Sequence, residues 1–119
     1  MVDSWSGRLA FVNPPFSALL QWLRRAHEQW WAGNIETVVC LVPVRTDSAW
    51  FHETLSPVAD IYLLRGRVRF LNSQGKGQHT PFSLMLVTLG ATVQQRVRYA
   101  ALVPGYWLAR ADVRVAIAA

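Results

Sequence analysis

The sequence predicts an α/β fold, and three observations carry that prediction. Short apolar runs alternate with a segment of helical periodicity. The first of those runs, Leu9-Ala10-Phe11-Val12, is apolar at every position rather than at every second one, as in strands covered on both faces. Proline, glycine and asparagine mark the breaks between runs at Asn13-Pro14-Pro15, Gly33-Asn34 and Pro57, and Pro43 punctuates the run Thr37–Val44.

Each element follows in order. Leu9–Val12 reads as a short buried strand. Residues 17–32 read as a helix, with Leu19, Leu20, Trp22, Leu23, Ala26, Trp30 and Trp31 on one apolar side. Gln21, Arg24, Arg25, Glu28 and Gln29 form its wet side. Ser17 is the expected N-cap and Gly33-Asn34 the stop. Thr37–Val44 is a second buried strand. Asp47 or Thr46 caps a short helix through Leu55, which Pro57 ends. Ala59–Leu64 is a third strand, and the alternation of Val68 and Phe70 with Arg67 and Arg69 extends it. Residues 72–80 form a polar loop, and Ser83–Leu89 a fourth strand. Residues 91–119 read as further extended structure around the turn at Pro104-Gly105, with no assigned role.

Composition sets the class. A chain of 119 residues with 52% apolar and 16% charged residues holds one core and is no disordered tail. Its formal charge is +5, with arginine supplying all but one of the basic residues, a balance suited to polyanions such as double-stranded DNA. Cys40 is the sole cysteine, so no disulfide framework or thiolate metal site is expected, and it reads as a buried inert thiol. The three histidines share no metal-ligand spacing. No apolar run reaches the length of a membrane span and no signal pattern opens the chain, so a cytoplasmic location is expected.

The most informative residues are Asn13-Pro14-Pro15-Phe16, placed where a buried strand ends and a loop opens. The Asn13 side-chain oxygen and the Pro14 carbonyl are each able to accept one hydrogen of an exocyclic amine. The two prolines fix φ and keep both acceptors aimed, and Phe16 offers a flat face to the heterocycle. A flipped adenine is read by this combination of edge contacts and stacking. The same residues also make an ordinary turn.

With Thr46-Asp47-Ser48-Ala49-Trp50-Phe51-His52, Gly66-Arg67-Val68-Arg69-Phe70 and Pro81-Phe82-Ser83 following in that order, the chain resembles the phage-type DNA adenine-N6 methyltransferases over about residues 5–90. The resemblance implies a partial Rossmann-like methyltransferase sheet, its C-terminal half, ending in an antiparallel strand pair. It divides the chain into a half domain over 1–90 and an extra segment over 91–119. It implies S-adenosylmethionine as methyl donor and Asn13, Pro14, Pro15 and Phe16 as the catalytic loop. Ser17, Asp47, Trp50, Arg67, Arg69 and Lys76 become candidates for contact with the base or the DNA. The cofactor-binding residues stay unassigned: the family's cofactor loop precedes its amine-binding loop, and here Gly75-Lys76-Gly77 and Gly90-Ala91-Thr92 do not match it. The expectation is therefore a catalytic half lacking its cofactor half, with Leu9–Val12 left as an open edge for that half or for self-association. The alternative is an inactive remnant or a nucleic-acid-binding module.

Several candidates carry a second reading. Asp47 serves equally as a ligand group or a helix cap. Trp50 and Phe51 wall a base pocket or pack in the core. Arg65, Arg67 and Arg69 track a phosphate backbone or form a solvated strand face. Lys76 touches DNA or sits in a mobile loop, and His52 is structural.

Overall fold

The computed structural model describes residues 5–45, 47–66, 69–71, 74–75, 77–79 and 83–108, of which the side chains of Phe16, 69–71 and 78–79 are left out. Strands β1 (Gly7–Val12), β2 (Ile35–Pro43), β3 (Asp60–Leu64), β4 (Arg69–Leu71), β5 (Gly77–His79), β6 (Leu84–Leu89) and β7 (Gly105–Leu108) accompany helices α1 (Leu19–Trp31) and α2 (Val93–Leu102). Five strands form one mixed sheet in the order β1-β2-β6-β3-β7, while β4 and β5 pair separately as a hairpin. β1 runs parallel to β2, with Leu9 beside Thr37 and Val12 beside Cys40. β6 lies antiparallel between β2 and β3, so β2 and β3 point the same way. All six residues of β6 are buried, and all are apolar but Thr88, whose hydroxyl donates to the Asp60 carbonyl at 2.9 Å.

One face of the sheet packs on α1. Val12, Val38, Cys40, Val42, Ile61, Met85, Val87 and Leu89 form a single cluster with Leu23 and Ala26 of the helix, and Leu19, Trp22 and Trp30 close its rim. The alternation of a strand puts these residues on one side and Leu9, Phe11, Val39, Leu86, Thr88 and Tyr62 on the other. On that second face Tyr62 meets the rings of Tyr99 at 5.0 Å and Trp107 at 4.6 Å, and its hydroxyl donates to the Val103 carbonyl. Arg96 of α2 reaches the buried Asp60 carboxylate at 3.7 Å. These contacts fasten α2 over β3 and β6 and leave β1 uncovered.

The structure corrects several expectations. β1 is not covered on both faces: Leu9 and Phe11 are 62% and 63% exposed. Gln29 is buried rather than wet, because its Oε1 accepts from the Trp5 amide and the Asn34 side chain, both at 2.9 Å. Trp31 and Leu20 turn outward from the apolar side of α1. Ser17 does not cap α1; it lies in a 3-10 turn over Phe16–Ala18, and the helix starts at Leu19 with Ala18 in the N-cap position and no side-chain cap. Ser48, not Asp47, caps the next helical segment by accepting from the Phe51 amide at 3.1 Å, and Thr46 lies outside the described residues. That segment widens into a single π turn over Phe51–Leu55, closed by the Ser56 amide on the Phe51 carbonyl. The polar loop 72–80 contains β5. Residues 91–108, read as extended, hold a ten-residue helix with a capping box at Thr92 and Gln95, then the edge strand β7.

Candidate active site

β1 and β2 are parallel neighbours, so the loops that follow them open at the same end of the sheet. β1 stops at Val12 because Pro14 has no amide hydrogen to continue a ladder and holds Asn13 in an extended conformation. Pro15 continues at φ −62° and ψ 138°, and its carbonyl accepts from the Ala18 amide at 3.0 Å, which closes the 3-10 turn into α1. Two prolines and one turn thus hold the loop from both sides. Pro14 is buried and anchors it, whereas Asn13 is exposed. Asn13 and Pro14 line a cleft of about 350 Å³ with Trp5, Ala10, Phe11, Val12 and Trp22. Among the described residues nothing hydrogen-bonds the Asn13 amide, so its oxygen is available to a ligand.

A second cleft, of about 310 Å³, opens past the end of β2. Ser17, Asp47 and Trp50 meet there with Arg45, Ser48 and the apolar side chains of Leu19, Leu20, Leu23 and Phe51. The first turns of α1 stand between the clefts: Trp22 faces the first, and Leu19, Leu20 and Leu23 face the second. The structure therefore brings Ser17, Asp47 and Trp50 together and sets Asn13 and Pro14 in the neighbouring cleft. Trp50 is held by the Arg24 guanidinium, 5.9 Å from its ring centre, and by the edge of His27. Arg67 and Lys76 lie outside the described residues. Arg69 falls in β4, which pairs with β5 in a separate two-stranded sheet and does not extend β3 as expected, and its side chain and that of Phe16 are outside the described residues.

Sequence reasoning missed Trp5, Trp22 and Arg45 as cleft walls. Trp5 carries no signal of its own, since the Gln29 bond that fixes it spans 24 positions. Trp22 was visible as an apolar helix residue, but its place at the rim follows only from β1 being an edge.

Burial pushes the Cys40 thiol up to about 12 and raises the Tyr99 phenol, with the neighbouring Tyr62 adding to the latter. Neither group lines the Asn13 cleft. Among the described residues no group of His, Cys, Asp and Glu is arranged to hold a metal ion, and no helix is long and apolar enough to cross a membrane.

The structure is a mixed α/β sheet with a proline-stiffened loop at the C-terminal tip of a parallel strand, the end of a strand beyond which open α/β sheets hold their ligands. Comparison with known proteins makes this specific. The family model for DNA N-6-adenine-methyltransferase (Dam) matches residues 1–99, and the chain belongs to that family. It is similar to the DNA N-6-adenine-methyltransferase of Haemophilus phage HP1, 34% identical over 75 residues that make up 62% of this chain and 43% of the relative. The match thus spans less than half the length of that relative. No solved structure matches.

Proposed function

We propose that this chain is the amine-presenting half of a DNA adenine-N6 methyltransferase acting on double-stranded DNA, with S-adenosylmethionine as the methyl donor. The observation that carries the reading is the exposed Asn13 amide, without a hydrogen bond among the described residues, on a loop stiffened by Pro14 and Pro15 at the tip of β1.

The chemistry follows from those groups. Adenine N6 is a poor nucleophile because its lone pair is delocalised into the ring. Asn13 Oδ1 and the Pro14 carbonyl each accept one amino hydrogen, which draws the nitrogen towards a tetrahedral geometry and localises the lone pair. Fixing the amine in one orientation supplies the alignment that transfer between two bound groups requires. Phe16, next in the chain, provides the stacking face and offsets the cost of extruding the base, on the order of a few kcal/mol. Trp22 and Trp5 wall the cleft against water. Ser17, Asp47 and Trp50 form the second cleft, which suits the nucleotide around the target base, and Arg45 there suits its phosphate. Arg67, Arg69 and Lys76 remain proposed contacts to the DNA backbone.

The family chemistry takes an electrophilic methyl group from S-adenosylmethionine. The described residues do not form a cradle for it. Gly90 follows a strand, but a Cβ there would meet the Glu36 carbonyl at 2.2 Å and Trp30 Nε1 at 2.7 Å, so that glycine serves internal packing. Gly75 turns the β4–β5 hairpin. We therefore assign cofactor binding to polypeptide beyond the described residues, within a Rossmann-like sheet of which β1, β2, β6 and β3 are one half. The same observation favours a second reading, a nucleic-acid-binding module without catalytic activity.

Co-expression of the chain with a polypeptide that supplies the cofactor-binding half, in a host devoid of adenine methylation and followed by digestion of its DNA, separates the two. N6-methyladenine in the wild type and its loss in Asn13→Ala, with duplex binding unchanged, supports the methyltransferase. No N6-methyladenine from the co-expressed pair, with duplex binding retained, supports the binding module. Equal loss of methylation and DNA binding in Asn13→Ala would make the residue structural.

A further inference from the structure

We infer that the second cleft holds an unpaired base of the DNA strand, one carrying an exocyclic amine, stacked on a Trp50 ring that Arg24 and His27 set in place. The inference deepens the reading of that cleft as a nucleotide site and rests on it. The cleft lies across α1 from the edge strand β1, between the first turns of the helix on one side and Arg45 and Asp47–Phe51 on the other. Its size selects the state of the occupant. A cavity of about 310 Å³ is at the small end of ligand sites and admits no base pair between its walls. A flat ring inside it is reached only by a base that has left the stack, with face and edge both free.

Three chemistries meet in the cleft. Trp50 supplies a flat apolar face, Arg45 a guanidinium, and Asp47 a carboxylate that only accepts hydrogen bonds. Among the described residues neither Arg45 nor Asp47 is engaged in an ion pair. The two charges cancel, so the cleft does not select a bare anion. A nucleotide with an amino group answers all three at once: its ring meets Trp50, its phosphate Arg45 and its amine Asp47. Thymine does not, because it carries the O4 acceptor where cytosine carries the N4 donor.

Trp50 is not what holds its own helical segment to the sheet. Phe51 and Leu55 do that, at 7% and 1% exposure, with Ser48 as the cap, while Trp50 stays half-buried. Its ring is nonetheless fixed from across the groove. Leu20, Arg24, His27 and Trp31, spaced by four, three and four residues, share one flank of α1. Arg24 sets its guanidinium 5.9 Å from the Trp50 ring centre, and His27 meets that ring edge-on at 6.2 Å. His27 is steadied in turn by a near-parallel stack on Trp31 at 6.0 Å. An indole held in this way presents its face in one orientation and loses little freedom when a base arrives. Arg24 and His27 act through Trp50 and are positioning residues.

The test is equilibrium binding of the full chain to three single strands of equal length and charge: oligo-dC, oligo-dT and a strand of abasic deoxyribose phosphates. It is run in the Asn13→Ala background, which removes the amide of the first cleft. Oligo-dC should bind roughly tenfold more tightly than the abasic strand, the gain of stacking a base on an aromatic ring, and severalfold more tightly than oligo-dT. Trp50→Leu, which keeps apolar bulk against the core, should remove most of the gain over the abasic strand. Asp47→Asn, at an exposed position, should erase the preference for dC over dT, since an amide both donates and accepts. Arg24→Ala should weaken the stacking gain severalfold and Arg24→Lys restore it, a rescue that loss of simple packing does not give. Equal affinity for oligo-dC and the abasic strand removes the nucleotide reading of the cleft and the inference with it. A gain that survives Trp50→Leu, or a dC preference that survives Asp47→Asn, overturns the inference alone. None of these readouts depends on methylation, so the clamp reading stands or falls separately.

Discussion

Cys40 gives a sharp test of how the sheet is built, because the environment of its thiol can be turned into a rate. It sits in the middle of β2, between β1 and β6, and is 1% exposed. Burial raises its pKa from 9.0 to about 12. At pH 8 a thiol of pKa 9.0 is about 10% ionised and one of pKa 12 about 0.01%. Only the thiolate reacts, so ionisation alone slows alkylation roughly 1000-fold relative to the unfolded chain. Exclusion of the reagent slows it further. The assay is iodoacetamide labelling followed by mass spectrometry, in buffer and in urea. The same shift predicts alkaline instability, and its sign is fixed. The folded pKa lies above the unfolded one, so the contribution is complete below pH 9 and is lost as pH rises towards 12. Three pH units correspond to about 4 kcal/mol. Comparison with Cys40→Ala isolates this term from the tyrosines and other groups that titrate in the same window. Native labelling within tenfold of the unfolded rate, or equal alkaline slopes for the two proteins, would refute the burial of Cys40 in the core beneath α1.

Other consequences are read from the same packing. Gly90→Ala places a Cβ 2.2 Å from the Glu36 carbonyl at a φ of +77°. It should cost at least ~3 kcal/mol, or roughly 12 °C in Tm, by thermal denaturation. Thr92→Ala removes the oxygen that accepts from the Gln95 amide at 3.1 Å and should cost about 1 kcal/mol in urea unfolding. Gly105→Ala sets a Cβ 2.5 Å from the Leu63 carbonyl and against the Tyr62 ring, so β7 should detach from β3 and its amides exchange faster.

The parts of this fold that local chemistry dictates were legible in the sequence. Proline after Asn13 marks where β1 ends, and the apolar runs of β2, β3 and β6 reveal strands because burial on both faces removes alternation. The antiparallel pair expected at the end of the sheet is there, with β6 lying between β2 and β3. What was not legible depends on neighbours in space. Leu9-Ala10-Phe11-Val12 looks the same whether a strand lies beside it or not, so exposure of Leu9 and Phe11 is invisible until strand order is known. Gln29 reads as a wet residue because its partners, Trp5 and Asn34, lie ahead of β1 and past the turn that ends α1. Helix α2 was missed because Val93, Gln94, Gln95, Arg96 and Val97 give a weak apolar stripe. Its sheet-facing contacts run through Arg96 and Tyr99 instead.

The position of Asn13 is not an accident of loop placement but a result of the strand directions. Had β2 followed β1 through a tight hairpin, the loops after the two strands would point to opposite ends, and Asn13 and Asp47 would lie a strand length apart. α1 spans the crossover, so β2 returns parallel and both loops open together. β2 also runs past its last β1 partner, Cys40, to Pro43 before the chain leaves the sheet towards Asp47. A helix that shortened this crossover would lose both clefts at once, whatever residues lined them.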